Sequence, residues 1–377
     1  MRERLSFKLN HLGNEARYDL SGSILDLRSA KTPLRFSFIY PAVGKSGCVV
    51  KLFKVLQTNM CENNCRYCAI RKDRNIPRLY FKPKELASIF MEYYRRGEVQ
   101  GLFLSSAVFK SPDRSQEMII ETLRILRREF NYRGYIHAKI LPGVSYELIE
   151  ETAKWADRLS INLEAPSGDY LIRLSEDKNW YELYKRLKLV SEVTRKFNLR
   201  AGAITQLVVG PANENDRDIL RLTEHLYRGL KLSRVYYSGF TPIIDTPLEN
   251  VPPAPWWREV RLYQADMLVK KYGFRHDELP FDKNGNLPYG VDPKLGWALK
   301  HPELFPVEIN RAPYEMLIRV PGIGRVGARR ILEYRKVHRF RYPEELRTLG
   351  INAKRALNFI TIDGKAYFTP RLIAYSL

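Results

Sequence analysis

From about residue 48 the chain repeats a short apolar run followed by a longer amphipathic segment, and few folds can satisfy that alternation. The apolar runs are 49–56, 101–105, 135–140, 158–163, 201–209 and 235–238, and helix-like stretches lie between them at 84–96, 115–130, 145–155, 180–197 and 215–230. Pro83 before Lys84-Glu85-Leu86 marks one helix start, because a proline there gives up an N–H that would go unpaired anyway. Six strands alternating with helices predict a parallel α/β sheet with right-handed crossovers, as an open doubly wound sheet or a partial barrel. In either form the functional site falls at the carboxyl ends of the strands.

The flanks have a different character. Residues 1–47 show little periodicity and read as an extension wrapping the core. Residues 241–255 carry Pro242, Pro247, Pro252, Pro253 and Pro255, a density that excludes regular structure and marks a boundary. The expected organisation is an extension at 1–47, an α/β core at 48–240, a proline-rich linker with a connecting helix at 241–306, and a compact basic helical segment at 307–377. A chain of 377 residues with 45% hydrophobic content can bury one large core and a small accessory domain. No run approaches the roughly 18 apolar residues of a membrane helix, and the start lacks the apolar core of a signal peptide, so a soluble cytoplasmic protein with no membrane partner is expected. Lys plus Arg outnumber Asp plus Glu 63 to 42, a net charge of +21 that attracts polyanions and makes nucleic acid the first partner to consider. A generally basic proteome or a thermophile's charged surface would leave the same mark.

Three of the four cysteines fall within eight residues, Cys61-Glu-Asn-Asn-Cys65-Arg-Tyr-Cys68, at the start of the first strand-to-helix loop. One loop can wrap three such thiolates around a single metal centre, and soft thiolates select zinc or iron–sulfur. A structural zinc site is closed by four ligands. Here the remaining cysteine, Cys48, precedes the first strand, and the nearest histidines, His11 and His137, are distant in sequence. An iron–sulfur cluster on three cysteines would keep one iron open.

That spacing, with aromatic Tyr67 before the third cysteine, resembles the signature of the radical-SAM superfamily. The resemblance implies a partial (βα)6 TIM-like barrel, a 4Fe–4S cluster on Cys61, Cys65 and Cys68, and S-adenosylmethionine (SAM) cleaved by one electron to a 5′-deoxyadenosyl radical. It also implies a reducing electron donor such as flavodoxin or ferredoxin. Cofactor contacts are expected from Tyr67, from Ser105 and Ser106 at the second strand's end, and from Asn162 and Glu164, which lie two apart on the fourth strand and so share a face. Ala107 stands where the family more often has glycine. Gln206, in an otherwise apolar strand, needs a polar partner and is a further candidate contact. Lys139, on the same face as His137, and Tyr237 at the last strand are candidate catalytic residues. A second cluster would need about three or four more cysteines, so sulfur insertion of the methylthiolating kind is not expected.

Near the other end, Val320-Pro-Gly322-Ile-Gly324-Arg325-Val-Gly327-Ala-Arg329-Arg330 lies between helix-like stretches at 313–319 and 325–336. Its glycines permit a tight turn at a helix N-terminus, open to a phosphate, with Arg325, Arg329 and Arg330 beside it. This resembles the helix-hairpin-helix motif, which grips the sugar-phosphate backbone without reading bases. Residues 342–351 resemble the degenerate second hairpin that completes such a small all-α domain. The expected nucleic-acid contacts are Gly322, Gly324, Arg325, Gly327, Arg329 and Arg330. The competing reading is a packing or protein-interaction module.

The two modules in this order resemble the radical-SAM/helix-hairpin-helix family of DNA modification and repair proteins. Glu15-Ala-Arg-Tyr-Asp19, Lys110-Ser-Pro-Asp113, Gly134-Tyr-Ile-His137-Ala-Lys139 and His301-Pro-Glu-Leu-Phe-Pro306 extend the likeness over nearly the whole chain. It implies a nucleic-acid substrate, DNA ahead of RNA, and a companion protein of uracil-DNA-glycosylase-like fold. Modification of tRNA is the nearest alternative. A small-molecule or protein substrate, with the tail used for assembly, and a non-catalytic nucleic-acid-binding protein with a structural metal are the others.

Overall fold

The structure is a computed structural model and describes residues 2–19, 38–43 and 48–367. It divides into two compact units, Met1–Glu214 with His225–Val260, and Asn215–Glu224 with Arg261–Leu377.

The first unit is built on a seven-stranded sheet in chain order, β1 (Ile39–Val43), β2 (Val49–Leu56), β3 (Gly101–Ser105), β4 (Tyr135–Lys139), β5 (Arg158–Ser160), β6 (Gly202–Val209) and β7 (Arg234–Gly239). β1 runs antiparallel to β2, and each later neighbour is parallel to the last. These six parallel strands fall on the apolar runs of the sequence, except that β5 ends at Ser160, so Asn162 and Glu164 lie in the segment beyond it and not on the strand, Glu164 with φ +65°. β7 does not pair with β2, so the barrel is partial. The sheet curls, since the carboxyl ends of β2 through β7 line a single cavity.

Local chemistry sets the helix boundaries. α1 spans Arg2–Glu15, where the sequence reading found no periodicity, yet Leu9, Leu12 and Ala16 are buried at helical spacing. α2 (Pro83–Arg95) starts with proline, and Glu85 folds back to accept from the Lys82 N–H at 3.1 Å. In α3 (Pro112–Arg128), Ser111 Oγ accepts from the Arg114 N–H, and Arg127 and Arg128 complement the negative end of the helix dipole. α4 (Tyr146–Ala153), the short α5 (Gly168–Leu174), α6 (Trp180–Lys196) and α7 (Asp216–Arg228) complete the alternation.

In the second unit, α8 (Trp256–Lys271) runs in from the first, followed by α9 (Pro293–Lys300), which starts under an Asp292 cap. Residues 261–306, read from the sequence as a connector, therefore share a compact unit with the hairpin segment. That segment holds α10 (Tyr314–Leu317), α11 (Arg325–Tyr334), α12 (Glu344–Thr348) and α13 (Ala353–Ala356). Three short strands the sequence did not announce, Val307–Glu308, Ile360–Ile362 and Lys365–Ala366, form a small sheet beside these helices. No helix among the described residues is long and apolar enough to cross a membrane.

Candidate active site

Register decides which side chains enter the barrel. Lys54, Phe103, His137 and Arg158 pair in a row across β2 to β5, and Phe103 stacks on His137 at 4.1 Å between centroids. One layer nearer the strand ends come Ser105 and Lys139, and further along their strands Gln206 and Ser238, all lining a cavity with about 1180 Å³ of empty space, part of it open to solvent. Cys61, Cys65, Tyr67, Cys68, Ser106, Asn162 and Glu164 line it too.

Tyr237 does not. It pairs with Leu207 in β6, one step out of phase with Gln206, whereas Tyr236 opposes Gln206 and Ser238 opposes Val208. Alternation therefore turns Tyr237 away from the cavity that Ser238 lines, and its side chain is fully buried there. As a candidate at the cavity mouth it is corrected.

Residues of the N-terminal extension reach the same cavity. Asp19 accepts from Lys139 Nζ and from Ser105 Oγ, each at 2.6 Å, and the Tyr18 carbonyl accepts from Gln206 Nε2 at 2.9 Å. Lys139 Nζ also donates to Asn162 Oδ1 at 2.5 Å. Burial pushes the Asp19 carboxyl up, but Lys139 and Ser105 outweigh it and hold the pKa below the usual range. Burial, helped by Arg158 and Lys139, drives the His137 pKa well down, so the ring is neutral, and it hydrogen-bonds Ser160 Oγ at 2.7 Å.

A residue the sequence reading missed lines the same cavity. Lys178, from the loop between α5 and α6, donates to Glu164 Oε1 at 2.9 Å and to the Tyr67 hydroxyl at 3.4 Å. Burial opposes its charge, yet Cys65, Glu164 and Tyr67 prevail and raise its pKa well above the ordinary lysine value. No local pattern announces such a residue, since its partners come from other strand ends.

Arg78 is the guanidinium that spans the cysteine loop most widely, and Arg74 adds a bond to the Ala69 carbonyl at 2.9 Å. Arg78 Nη1 donates to the Asn59 and Ile70 carbonyls at 2.9 Å, and Nη2 donates to those of Arg71, Lys72 and Arg74 at 2.6 to 3.0 Å. Backbone N–H groups of Val108 and Asn63 point at the Cys61 sulfur and that of Ile70 at Cys68, while Cys65 Sγ lies 3.2 Å from Ser175 Oγ. No group of three or more His, Cys, Asp or Glu among the described residues is drawn in to metal-ligand spacing. The donor chemistry nevertheless fits an iron–sulfur cluster. Burial, and then mutual repulsion with Cys65, push the Cys61 and Cys68 thiols up, so the thiolates need a cationic centre. The N–H groups aimed at sulfur are the kind that tune such a cluster.

In the second unit, the hairpin glycines divide by role. Gly322 has φ +89°, and a Cβ there would lie 2.7 Å from the Asn352 carbonyl oxygen and 2.8 Å from the Ala356 nitrogen, so the fold itself demands glycine. Gly327 is buried, and its Cβ would meet Ile351 at 3.1 Å, a helix-packing constraint. Gly324 has φ −87°, and its Cβ would find only the Tyr272 hydroxyl, at 3.6 Å, so neither backbone nor packing requires glycine. Arg325 is half-buried and Arg329 exposed, neither with a carboxylate partner among the described residues, whereas Arg330 ties the two hairpins together by donating to the Leu349 carbonyl at 2.9 Å.

Comparison with known proteins agrees with this architecture. Residues 55–226 match the family model of the radical SAM superfamily, and residues 305–356 match that of the helix-hairpin-helix motif. The chain therefore carries a radical SAM domain over residues 55–226 and a helix-hairpin-helix motif over residues 305–356. Among curated proteins it resembles the threonylcarbamoyladenosine tRNA methylthiotransferase MtaB of Thermotoga maritima, 26% identical over 200 residues, which are 51% of this chain and 44% of that one. The chain thus spans less than half the length of this relative. Among solved structures it resembles a radical SAM methyltransferase from Sphaerobacter thermophilus (TM-score 0.44, 16% identity, 65% of this chain and 78% of the other). It also resembles the FeFe-hydrogenase maturase HydG from Carboxydothermus hydrogenoformans (TM-score 0.46, 15% identity, 57% and 50%). The family implies a 4Fe–4S cluster and SAM.

Proposed function

We propose that the chain modifies a nucleic acid, DNA ahead of RNA, at a radical SAM site served by one cluster on Cys61, Cys65 and Cys68. The observation that carries this reading is the pairing, in one chain of net charge +21, of a thiol-lined barrel cavity with a helix-hairpin-helix motif. When bound, the cluster and SAM supply a 5′-deoxyadenosyl radical. This chain's residues bind and orient around it. Tyr67, Glu164 and Lys178 form a polar group beside the cysteines, Asn162 and Ser106 offer further contacts, and the Asp19–Lys139 pair joins Ser105 to Asn162. Ser105 and Gln206 serve the cavity through Asp19 and Tyr18. At the hairpin, Gly324 leaves the loop open to a phosphate between Arg325 and Arg329, while Gly322, Gly327 and Arg330 shape it. A base in a duplex must be extruded to reach a barrel interior. A flavodoxin- or ferredoxin-like electron donor and a glycosylase-like companion belong to the same reading.

The second reading is tRNA modification, favoured by the likeness to MtaB. Methylthiolation itself is not carried over, because Cys48 is the one cysteine left for a second cluster. The deciding experiment is anaerobic reconstitution with iron and sulfide, then reduction with SAM in the presence of duplex DNA or of tRNA. We expect 5′-deoxyadenosine to form and a new nucleoside to appear by mass spectrometry in the DNA digest. A new nucleoside only in the tRNA digest would select the second reading, and no 5′-deoxyadenosine at all would leave a binding protein.

A further inference from the structure

The second unit contains an open cleft of about 1460 Å³ that none of the site residues above enters. Arg217, Phe281, Trp297, Lys300, Met316 and Arg319 line it. Two of the cations on this wall are already matched, Arg275 by Asp277 at 2.9 Å and Arg319 by Glu278 at 2.8 Å. Arg217 and Lys300 have no carboxylate partner among the described residues. Both are organised by Phe281, whose ring lies 5.2 Å from the Arg217 guanidinium and whose carbonyl accepts from Lys300 Nζ at 2.9 Å. The Arg319 guanidinium lies on buried rings, 4.4 Å from Phe274 and 4.7 Å from Trp297, and presents the planar surface there.

Two further observations point to a ligand. Trp297 is 3% exposed, and its indole N–H is buried with no acceptor among the described residues. Buried donors of this kind nearly always have a partner, so this one calls for an acceptor at the cleft, a bound group or an ordered water. Moreover, Met316 and Arg319 belong to the first helix of the hairpin and its end, with Gly322 three residues on. Three residues reach ~11 Å at most, so a backbone gripped at the hairpin passes within a few nucleotides of the cleft.

We infer that this cleft is a second nucleic-acid subsite, taking the phosphodiester of a single-stranded segment on Arg217 and Lys300 beside the Arg319 guanidinium. Cations without carboxylate partners beside a planar guanidinium, here Arg319 backed by buried rings, hold a single strand by its phosphates and by stacking on the guanidinium, without base readout. The inference rests on the nucleic-acid reading of the chain.

The test is fluorescence anisotropy of a labelled single-stranded oligonucleotide titrated with the full-length protein over a range of KCl concentrations. The double variant Arg217→Ala/Lys300→Ala is expected to bind about tenfold more weakly, with the slope of log K against log[salt] reduced by about 1.4, two phosphates at ~0.7 each. Lys188→Ala, which removes an exposed lysine of the first unit, should keep the wild-type slope. If the wild type binds and the double variant retains its slope, the cleft assignment is overturned and the nucleic-acid reading stands. If the wild type binds neither single strands nor duplexes, both fall. Equal displacement of the oligonucleotide by polyglutamate would also overturn the subsite, by making it a generic polyanion surface.

Discussion

Lys54 is the residue most at odds with its surroundings. Its side chain is 2% exposed inside the barrel, with Nζ 4.1 Å from the Tyr40 ring centroid, and burial lowers its pKa to about 7, with Asp19 opposing and Lys139 adding to the shift. An unfolded lysine titrates near ~10.4. Between those values the unfolded chain holds more protons than the folded one, so this group makes stability rise with pH from about 7 to about 10, with the full penalty below. Lys54→Met, similar in volume, should raise the melting temperature more at pH 6 than at pH 9 in calorimetry. An equal rise at both would show that Lys54 carries no such linkage. The sequence marks Lys54 as a polar residue in an apolar strand, but nothing local says that Asp19 sits within its field.

At the scale of elements, the cysteine loop and the hairpin each depend on residues the motifs do not include. Arg78 spans the loop by donating to five carbonyls, so Arg78→Met leaves those acceptors unmatched, at a cost of about 1–3 kcal/mol for each that stays buried. The expected outcome is a loop that no longer presents three thiols together, read as iron content below half of wild type after reconstitution. Arg78→Lys should not rescue it, because an ammonium cannot spread over that many carbonyls; full iron loading in either variant would count against the role. In the hairpin, Gly322→Ala should destabilise the second unit by more than about 2 kcal/mol, since both φ and the Asn352–Ala356 backbone oppose it. Gly324→Ala should melt within about 0.5 kcal/mol of wild type and still lose nucleic-acid affinity. Unchanged affinity would show that this glycine serves no phosphate.

Across the whole molecule, the six parallel strands and their helices were legible because strand and helix periodicities are local properties of the chain, and the cysteine spacing because one loop carries all three thiols. Less was legible wherever elements far apart in sequence meet. The adjacent tyrosines Tyr236 and Tyr237 could be sorted only by the β6–β7 register, which turns Tyr237 to the wrong side. The strand-end polar residues were recognisable as cavity-facing candidates. That Asp19 and the Tyr18 carbonyl would occupy Ser105, Lys139 and Gln206 required the extension to arrive from as many as 188 residues away. By itself, then, the sequence determined the alternating α/β core, the thiol triplet and the glycine-rich hairpin, all short-range patterns. The tertiary structure alone decided which polar groups meet in the cavity, that Lys178 and Arg78 serve the cysteine loop, and that a cationic aromatic cleft adjoins the hairpin. Hydrogen bonds and charge pairs act over a few ångströms in space, whatever the separation along the chain.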